Sequence, residues 1–414
     1  MNSSPQIINH RRRRSLWIAL GVRLIVTLVA AFVVQRGVSS ASAQSAGDSA
    51  SPAPAPAAVA TPMPTPHRAG KNAVDDYDRA MALYKKLERS GFFSFNTDAD
   101  KMDPKVAAAL SAKIQPIVQL TRDAETADYA EWDDDPSNPK NQQHTPMVFA
   151  MADLTSLLLW DAGYCLKSNP KESIQDLAAE ETLARCGGTD SVQGFTMSLG
   201  ACQLVVPFIS RNANALADTM GNDLKDFTNV QGVADEYRAA FNADAGWVEK
   251  LIVRDSDPAK LSLDVKQMGM ASGPALVTDL KWIAQVDKEA ANELQVSDPE
   301  YKHWLAIKQG EAASIHDETS ALPLVGSVRP AAQALELVDS ARPAAQAEEE
   351  KIAMLAAGLA LQRGDQALFQ AARDPIAGQP FTVSKIAGGF KLISTFIWRD
   401  GTPITLTFDV APAK

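Results

Sequence analysis

Ser314-Ile315-His316-Asp317-Glu318 sets a hydroxyl, an imidazole and two carboxylates within five residues, the groups that nucleophilic or acid–base chemistry requires. Adjacent positions on a helix point in different directions, however, and a triad is assembled across a fold rather than along a chain. The stretch therefore reads as a solvated helix end. His303, beside Trp304, reads as a partly buried helix residue. His144 is the one other histidine of the body, since His10 and His67 fall near the N-terminus.

Hard oxygen donors gather in Glu131-Trp132-Asp133-Asp134-Asp135-Pro136-Ser137-Asn138, a composition able to hold Ca²⁺. The stretch lacks the central glycine and the closing bidentate glutamate of an EF-hand loop, so it reads as a solvated loop. Trp132, Trp160, Trp247, Trp282 and Trp304 carry enough area to line a groove between helices, although core packing is the better account. Three cysteines, Cys165, Cys186 and Cys202, cannot all pair internally. Cys165 and Cys186 fall near opposite ends of a helix about 20 Å long at 1.5 Å per residue, too far apart for a disulfide. Cys165 with Cys202 is the best-placed pair, and buried free thiols fit better still.

No Gly-x-Ser-x-Gly elbow, His-Glu-x-x-His pair, Walker A loop or Gly-x-Gly-x-x-Gly turn in strand–turn–helix context occurs. No residue is assigned a catalytic, cofactor-binding or metal-ligating role, and no cofactor is expected. Asp133, Asp134, Asp317 and Glu318 would serve a hydrolase only if the fold brought a pair of them together.

The frame that must position these groups is legible in outline. At 414 residues with 46% hydrophobic and 22% charged residues, the chain can bury a substantial core. A net charge of -10 argues against a phosphate-gathering surface, so nucleic acid is not expected as a partner. Arg11 to Arg14, the apolar run Leu16 to Val34 interrupted by Arg23, and Ala41-Ser42-Ala43 together form an export signal. Residues 1–43 are either a signal peptide cleaved before Gln44 or an uncleaved anchor in the inner membrane. In both cases the positive-inside rule leaves the following chain outside the cytoplasm. Residues 44–71 form a Pro/Ala-rich linker whose alternating prolines favour extended polyproline II structure.

Residues 72–343 read as a domain of antiparallel helices. Asn72, Asp103-Pro104, Thr145-Pro146 and Asn169-Pro170 mark helix starts by capping side chains, three of them followed by proline at the first helical position. Ser327 to Ala334 is repeated, with one change, at Ser340 to Ala347, and reads as a duplicated linker or helix edge. Residues 344–414 then read as a helix, Ala344 to Arg363, covering a three-stranded β-meander. Phe381 and Val383 alternate in the first strand, Phe390, Leu392, Ser394, Phe396 and Trp398 share a face of the second, and Ile404, Leu406 and Phe408 form the third. Ala387-Gly388-Gly389 and Asp400-Gly401 supply the turns.

Asp374-Pro375-Ile376-Ala377-Gly378-Gln379-Pro380-Phe381 resembles the D-P-x-x-G-x-P-[LFY] tail of an uncharacterised group of exported bacterial helical proteins. Asn72-Ala73 to Leu83 looks like that group's first helix and Leu204 to Ala217 like its central one. The tail is also similar to the C-terminal region of type II secretion pseudopilins. A pseudopilin's Gly-Phe-Thr-x-x-Glu processing site is missing before Leu16, and its internal mimic at Gly194-Phe195-Thr196 has Leu199 in place of the glutamate. No metal ligands are carried over. The resemblance implies a domain type without an activity. Together these features predict a non-enzymatic extracytoplasmic binding or scaffold protein with a protein partner in the cell envelope. An envelope hydrolase and a secretion-apparatus accessory are the alternatives.

Overall fold

Capping chemistry sets several helix starts. The computed structural model describes residues 70–89, 99–128, 130, 144–189, 191–216, 226–254, 274–319, 331–398 and 401–409. They belong to a unit that spans Ala69–Lys414. The export segment, the linker and the acidic loop from Glu131 to Asn138 lie outside the described residues. Helix α1 (Ala73–Arg89) follows Asn72, whose Oδ1 accepts a hydrogen bond from the Val74 amide at 3.2 Å. Helix α2 (Pro104–Glu125) follows Asp103, whose Oδ1 accepts from the amides of Lys105 at 2.9 Å and Val106 at 3.3 Å. These bonds satisfy orphan donors of a first turn.

Helix α3 (His144–Cys165) starts two residues before the expected Pro146. Helix α4 (Pro170–Gly188) starts where expected, but the Asn169 side chain makes no capping bond; its Nδ2 donates to Glu172 Oε2 at 3.1 Å instead. Helices α5 (Val192–Leu216), α6 (Val230–Arg254), α7 (Pro274–Ala290) and α8 (Asp298–Thr319) follow. Consecutive helices pack on one another in the pairs α1–α2, α3–α4, α4–α5 and α6–α7. Helix α5 is the one described helix long and apolar enough to cross a membrane. Its Phe195, Val205, Ile209 and Leu216 are fully buried within the protein core.

Helix α9 (Ala331–Gln362) differs most from expectation. It starts thirteen residues before Ala344 and carries Pro343 in its interior, so the second copy of the repeated octapeptide is helix rather than linker or edge. Proline is disfavoured there because it removes a donor and crowds the preceding turn. Beside it, Arg342 is buried and donates to the carbonyls of Glu293 at 2.9 Å and Val296 at 2.6 Å and to Asp298 Oδ1 at 2.9 Å. Its guanidinium also lies 4.3 Å from the centre of the Tyr301 ring. These bonds tie the middle of α9 to the turn between α7 and α8.

After the short helix α10 (Gln366–Ala371) come strands β1 (Thr382–Ile386), β2 (Gly389–Ile397) and β3 (Pro403–Asp409), antiparallel in the order β1-β2-β3. Gly388 (φ 82) and Gly401 (φ 80) take left-handed conformations at the two turns. Leu392 pairs with Val383 and Leu406, and Phe390 with Lys385 and Phe408, which places these side chains on one face. Helices α9 and α5 cover that face over β2 and β3, while Val383 and Lys385 on the edge strand β1 stay exposed.

Two main cores result. One holds α1, α2 and parts of α3 and α4; the larger holds the remaining helices and the sheet. Helix α4 serves both, giving Ala179 and Leu183 to the first and Ile174 and Leu177 to the second.

Candidate functional site

Helix α4 makes apolar contacts on two sides, so its exposed stripe is narrow, with Lys171 and Gln175 on it, and several of its polar side chains are buried. On α4 these are Ser173, Asp176 and Glu180, spaced three and four residues apart and fully buried. Against them α3 sets Thr155, Asp161 and Cys165. Thr155 Oγ1 donates to Glu180 Oε1 at 3.4 Å. One ligand atom each from Asp161, Cys165 and Asp176 lie within 4.8 Å of one another, close enough to hold a metal ion.

That position already has a cation. Arg122 of α2 donates to Asp176 Oδ1 from Nε at 2.8 Å and from Nη2 at 2.5 Å, and to Glu172 Oε1 from Nη1 at 3.3 Å. Nη2 also stands 3.8 Å from Asp161 Oδ2. Asp161 accepts further bonds from Ser111 Oγ at 3.4 Å and Gln115 Nε2 at 3.0 Å. Burial pushes the carboxyls of Asp161 and Asp176 above the usual range while Arg122 opposes it. Burial also pushes the Cys165 thiol up to about 12, with the neighbouring carboxylates adding to the effect. A neutral thiol beside a seated guanidinium is a poor metal ligand, because metals bind the thiolate. The cluster is an ion-paired joint between α2, α3 and α4.

Further along α4 the polar seam opens into a cavity of about 30 Å³ enclosed by α4, α5, α6 and α9. Its walls include Glu181 and Arg185 of α4, Ser198 and Cys202 of α5, Glu236 of α6 and Glu348 of α9, with exposed Asn229 at the rim. Arg185 reaches Glu181 Oε1 at 2.6 Å and Glu236 Oε1 at 3.6 Å. Glu348 is 1% exposed; its Oε2 lies 3.4 Å from Lys351 Nζ and its Oε1 has no hydrogen-bond partner. Glu180, next to this wall, is fully buried and its Oε2 also has none.

Burial pushes the Glu180 carboxyl up to about 8, with Glu181 and Glu348 adding to the shift and Thr155 opposing it. Burial raises Glu236 to about 7 against Arg185 and Ser198, and raises Glu348 against Lys351. The Cys202 thiol is pushed well above its usual value by burial and then by Glu348, Glu180, Glu236 and Glu181. Three carboxyls, those of Glu181, Glu236 and Glu348, thus line the cavity with this thiol. A volume of about 30 Å³ admits a water or two, or a single ion.

No family model, curated protein or solved structure matches this chain. Its chemistry must be argued from these side chains alone.

A second buried acid pair joins the helical body to the sheet. Asp374 is buried and accepts from the amides of Ile376 at 2.8 Å and Ala377 at 2.7 Å and from Ser394 Oγ at 3.0 Å and Thr395 Oγ1 at 2.9 Å. Burial raises its pKa, but these bonds outweigh burial and the net shift is downward. Glu350 of α9 is fully buried beside it; burial and the Asp374 charge push the Glu350 carboxyl up to about 8 while Ser394 opposes. The pair therefore shares its states: Asp374 ionised, Glu350 protonated. The same contacts hold the bulge in β2, where three residues between Ile393 and Ile397 face one residue of β3.

The residues singled out by sequence scatter. Asp133, Asp134 and Trp132 lie outside the described residues, as do the side chains of His144, His316, Asp317 and Glu318. His303 is exposed on α8 rather than partly buried. Trp160 is buried and stacks on Tyr164 at 5.6 Å, and Trp247, Trp282 and Trp304 are partly buried against the cores. The indoles of Trp282 and Trp304 donate to Glu311 Oε2 and Glu289 Oε2, each at 2.9 Å. None of the three cysteines forms a disulfide: Cys165 is buried at the ion-paired joint, Cys186 packs on the N-terminal core, and Cys202 faces the cavity. A larger surface groove of about 470 Å³ between α6 and α7 is lined by Glu249, Ile252, Lys281, Ala284 and Gln285.

Sequence reading passed over Glu348-Glu349-Glu350, the acids that matter most. The signal was their setting. Ala344 to Leu361 is apolar on every helical face, a pattern of full burial, so three glutamates within it must be buried in three directions.

Proposed function

We propose that this chain is a non-enzymatic extracytoplasmic binding or scaffold protein, carried across the membrane by residues 1–43 and held off it by the linker 44–71. The observation that carries the reading is the segment from Gly364 to Gly388. It runs through the short helix α10, a turn at 375–377 and strand β1, with extended connections between them, and only Asp374 and Phe381 within it are buried. Leu368, Ile376, Val383 and Ile386 face solvent along it. Exposed apolar side chains on a rigid frame favour binding without a large ordering cost. The described cavity among the carboxylates is of water size, which supports binding over hydrolysis of a substrate there. The tail anchored by Asp374 supports a second reading, an accessory of a secretion apparatus.

Photo-crosslinkers placed at Leu368 and Val383 in intact cells test the reading, with protease accessibility of the C-terminus as the measure of location. The expected result is a C-terminus outside the cytoplasm and one discrete crosslinked protein from both positions, absent when the crosslinker is at Val106 of α2. A cytosolic chain, or a hydrolytic activity abolished by Glu236→Gln, would overturn it.

A further inference from the structure

We propose that the cavity between α4, α5, α6 and α9 is a binding site for one divalent metal ion, held by oxygen donors with the carboxylates of Glu236 and Glu348 as its principal ligands. Glu348 supplies the first reason. A carboxylate oxygen buried to 1% exposure with no hydrogen-bond partner is costly to leave bare. Glu348 lines the cavity itself, so a ligand there would complete its coordination.

Charge supplies the second reason. Glu181, Glu236 and Glu348 line the cavity, with Arg185 beside Glu181 and Glu236 and Lys351 beside Glu348. Three carboxyls face two cations, so a cation that displaced the protons of Glu236 and Glu348 would supply the positive charge the wall lacks. At the Arg122 joint a guanidinium already fills the corresponding place, whereas here Lys351 pairs with Oε2 of Glu348 and leaves its Oε1 bare.

Donor type and size agree with this. Ser198 and Asn229 add neutral oxygens to the carboxylates, the ligand set preferred by Ca²⁺ and Mn²⁺. About 30 Å³ is room for one ion and a water, and the exposed Asn229 marks a route in. Burial holds the Cys202 thiol neutral, so it lies alongside the ion and does not ligate it.

The test uses the full chain, stripped with EDTA and dialysed separately against CaCl₂, MnCl₂ and ZnCl₂, with bound metal and Tm measured for each. Expected are one bound Ca²⁺ or Mn²⁺ per chain and a rise in Tm. Glu348→Gln and Glu236→Gln should each weaken binding at least tenfold, and Cys202→Ser should leave it unchanged. Because Glu348→Gln removes a bare buried charge without changing shape, the metal-free variant should be at least as stable as the parent, which shows that lost binding is not lost folding. The proposal fails if neither Ca²⁺ nor Mn²⁺ binds, if a bound ion persists in both glutamine variants, or if only Zn²⁺ binds and Cys202→Ser abolishes it.

Discussion

The ring of Phe408 in β3 lies directly on Gly358 of α9, so closely that a Cβ at that glycine would overlap the ring. This contact sets the distance between the sheet and the helix beneath it. Glycine inside a helix ordinarily costs about 1 kcal/mol relative to alanine, so Gly358→Ala would stabilise the protein if helix propensity decided. Phe408 is fully buried and stacked on Phe390 at 4.8 Å, leaving it little room to retreat. Overpacking of about 1–3 kcal/mol should therefore win. Urea denaturation of Gly358→Ala is expected to show a net loss, partly recovered by adding Phe408→Leu. A more stable Gly358→Ala protein would refute the contact.

Asp374 is the pin of the C-terminal segment. Asp374→Ala strands the amides of Ile376 and Ala377 and two hydroxyls, a loss of about 3 kcal/mol. Asp374→Asn should cost less, because its remaining carbonyl oxygen still accepts from the two amides. Hydrogen exchange should show lost protection from Ala372 to Trp398 while α1 and α2 keep theirs. Uniform loss across the chain would mean that Asp374 is not a local pin.

These two contacts show how far the sequence could be read. Strand alternation and the glycine turns give the meander, and capping residues give the starts of α1, α2 and α4, because both are local rules. The cover of the sheet was half visible. Ala344 to Arg363 was recognisable as helix, but the start at Ala331 was hidden by Pro330 and Pro343, which locally argue for breaks; the bonds of Arg342 to the α7–α8 turn override the break at Pro343. The carboxylate cavity was not visible at all. Glu180, Glu236 and Glu348 come from three helices far apart in sequence, and only packing brings them together.

Arg122 balances Asp161 and Asp176, both of them fully buried. Removing one partner of a buried ion pair leaves uncompensated charge, at a cost of about 3–5 kcal/mol. Arg122→Met should lose this at neutral pH and regain part of it near pH 5, as the carboxyls protonate. Arg122→Lys should recover little, because a single ammonium cannot replace the guanidinium fork that spans Asp176 and Glu172. Denaturation midpoints at two pH values decide it: an equal loss at both would show that charge is not the cause.

Two of the three thiols should be slow to react in the native state. Burial raises Cys165 to about 12 and Cys202 well above its usual value, so neither is a thiolate at pH 8. Ellman's reagent is expected to titrate these two only after unfolding, when all three cysteines should respond without prior reduction. Recovery of a single thiol in guanidinium would reveal a disulfide and contradict the free pairings.

Protonation of the buried glutamates gives the protein a stability profile opposite to that of salt-bridged carboxylates. Glu180 and Glu350 rise from the usual 4.5 to about 8, and Glu236 and Glu349 to about 7, in each case chiefly by burial. With a folded pKa above the unfolded one, each contributes stability that is fully present below about 4.5 and is lost as pH rises toward the folded value. Between pH 5 and 8 the folded chain binds more protons than the unfolded chain, and stability falls by up to about 1.4 kcal/mol per pH unit for each proton involved. Asp374 has the opposite sign: its pKa lies below 3.8, so its contribution disappears only in stronger acid. Maximum stability is therefore expected near pH 4–5. Urea titrations in EDTA at pH 5, 6, 7 and 8 should show steadily falling midpoints, with a flatter slope in Glu180→Gln and Glu350→Gln. The chelator is essential, because a cation bound at Glu236 and Glu348 would take the place of the protons there and level the profile. Midpoints that climb from pH 5 to 8 in EDTA would mean that these glutamates are ionised in the folded protein.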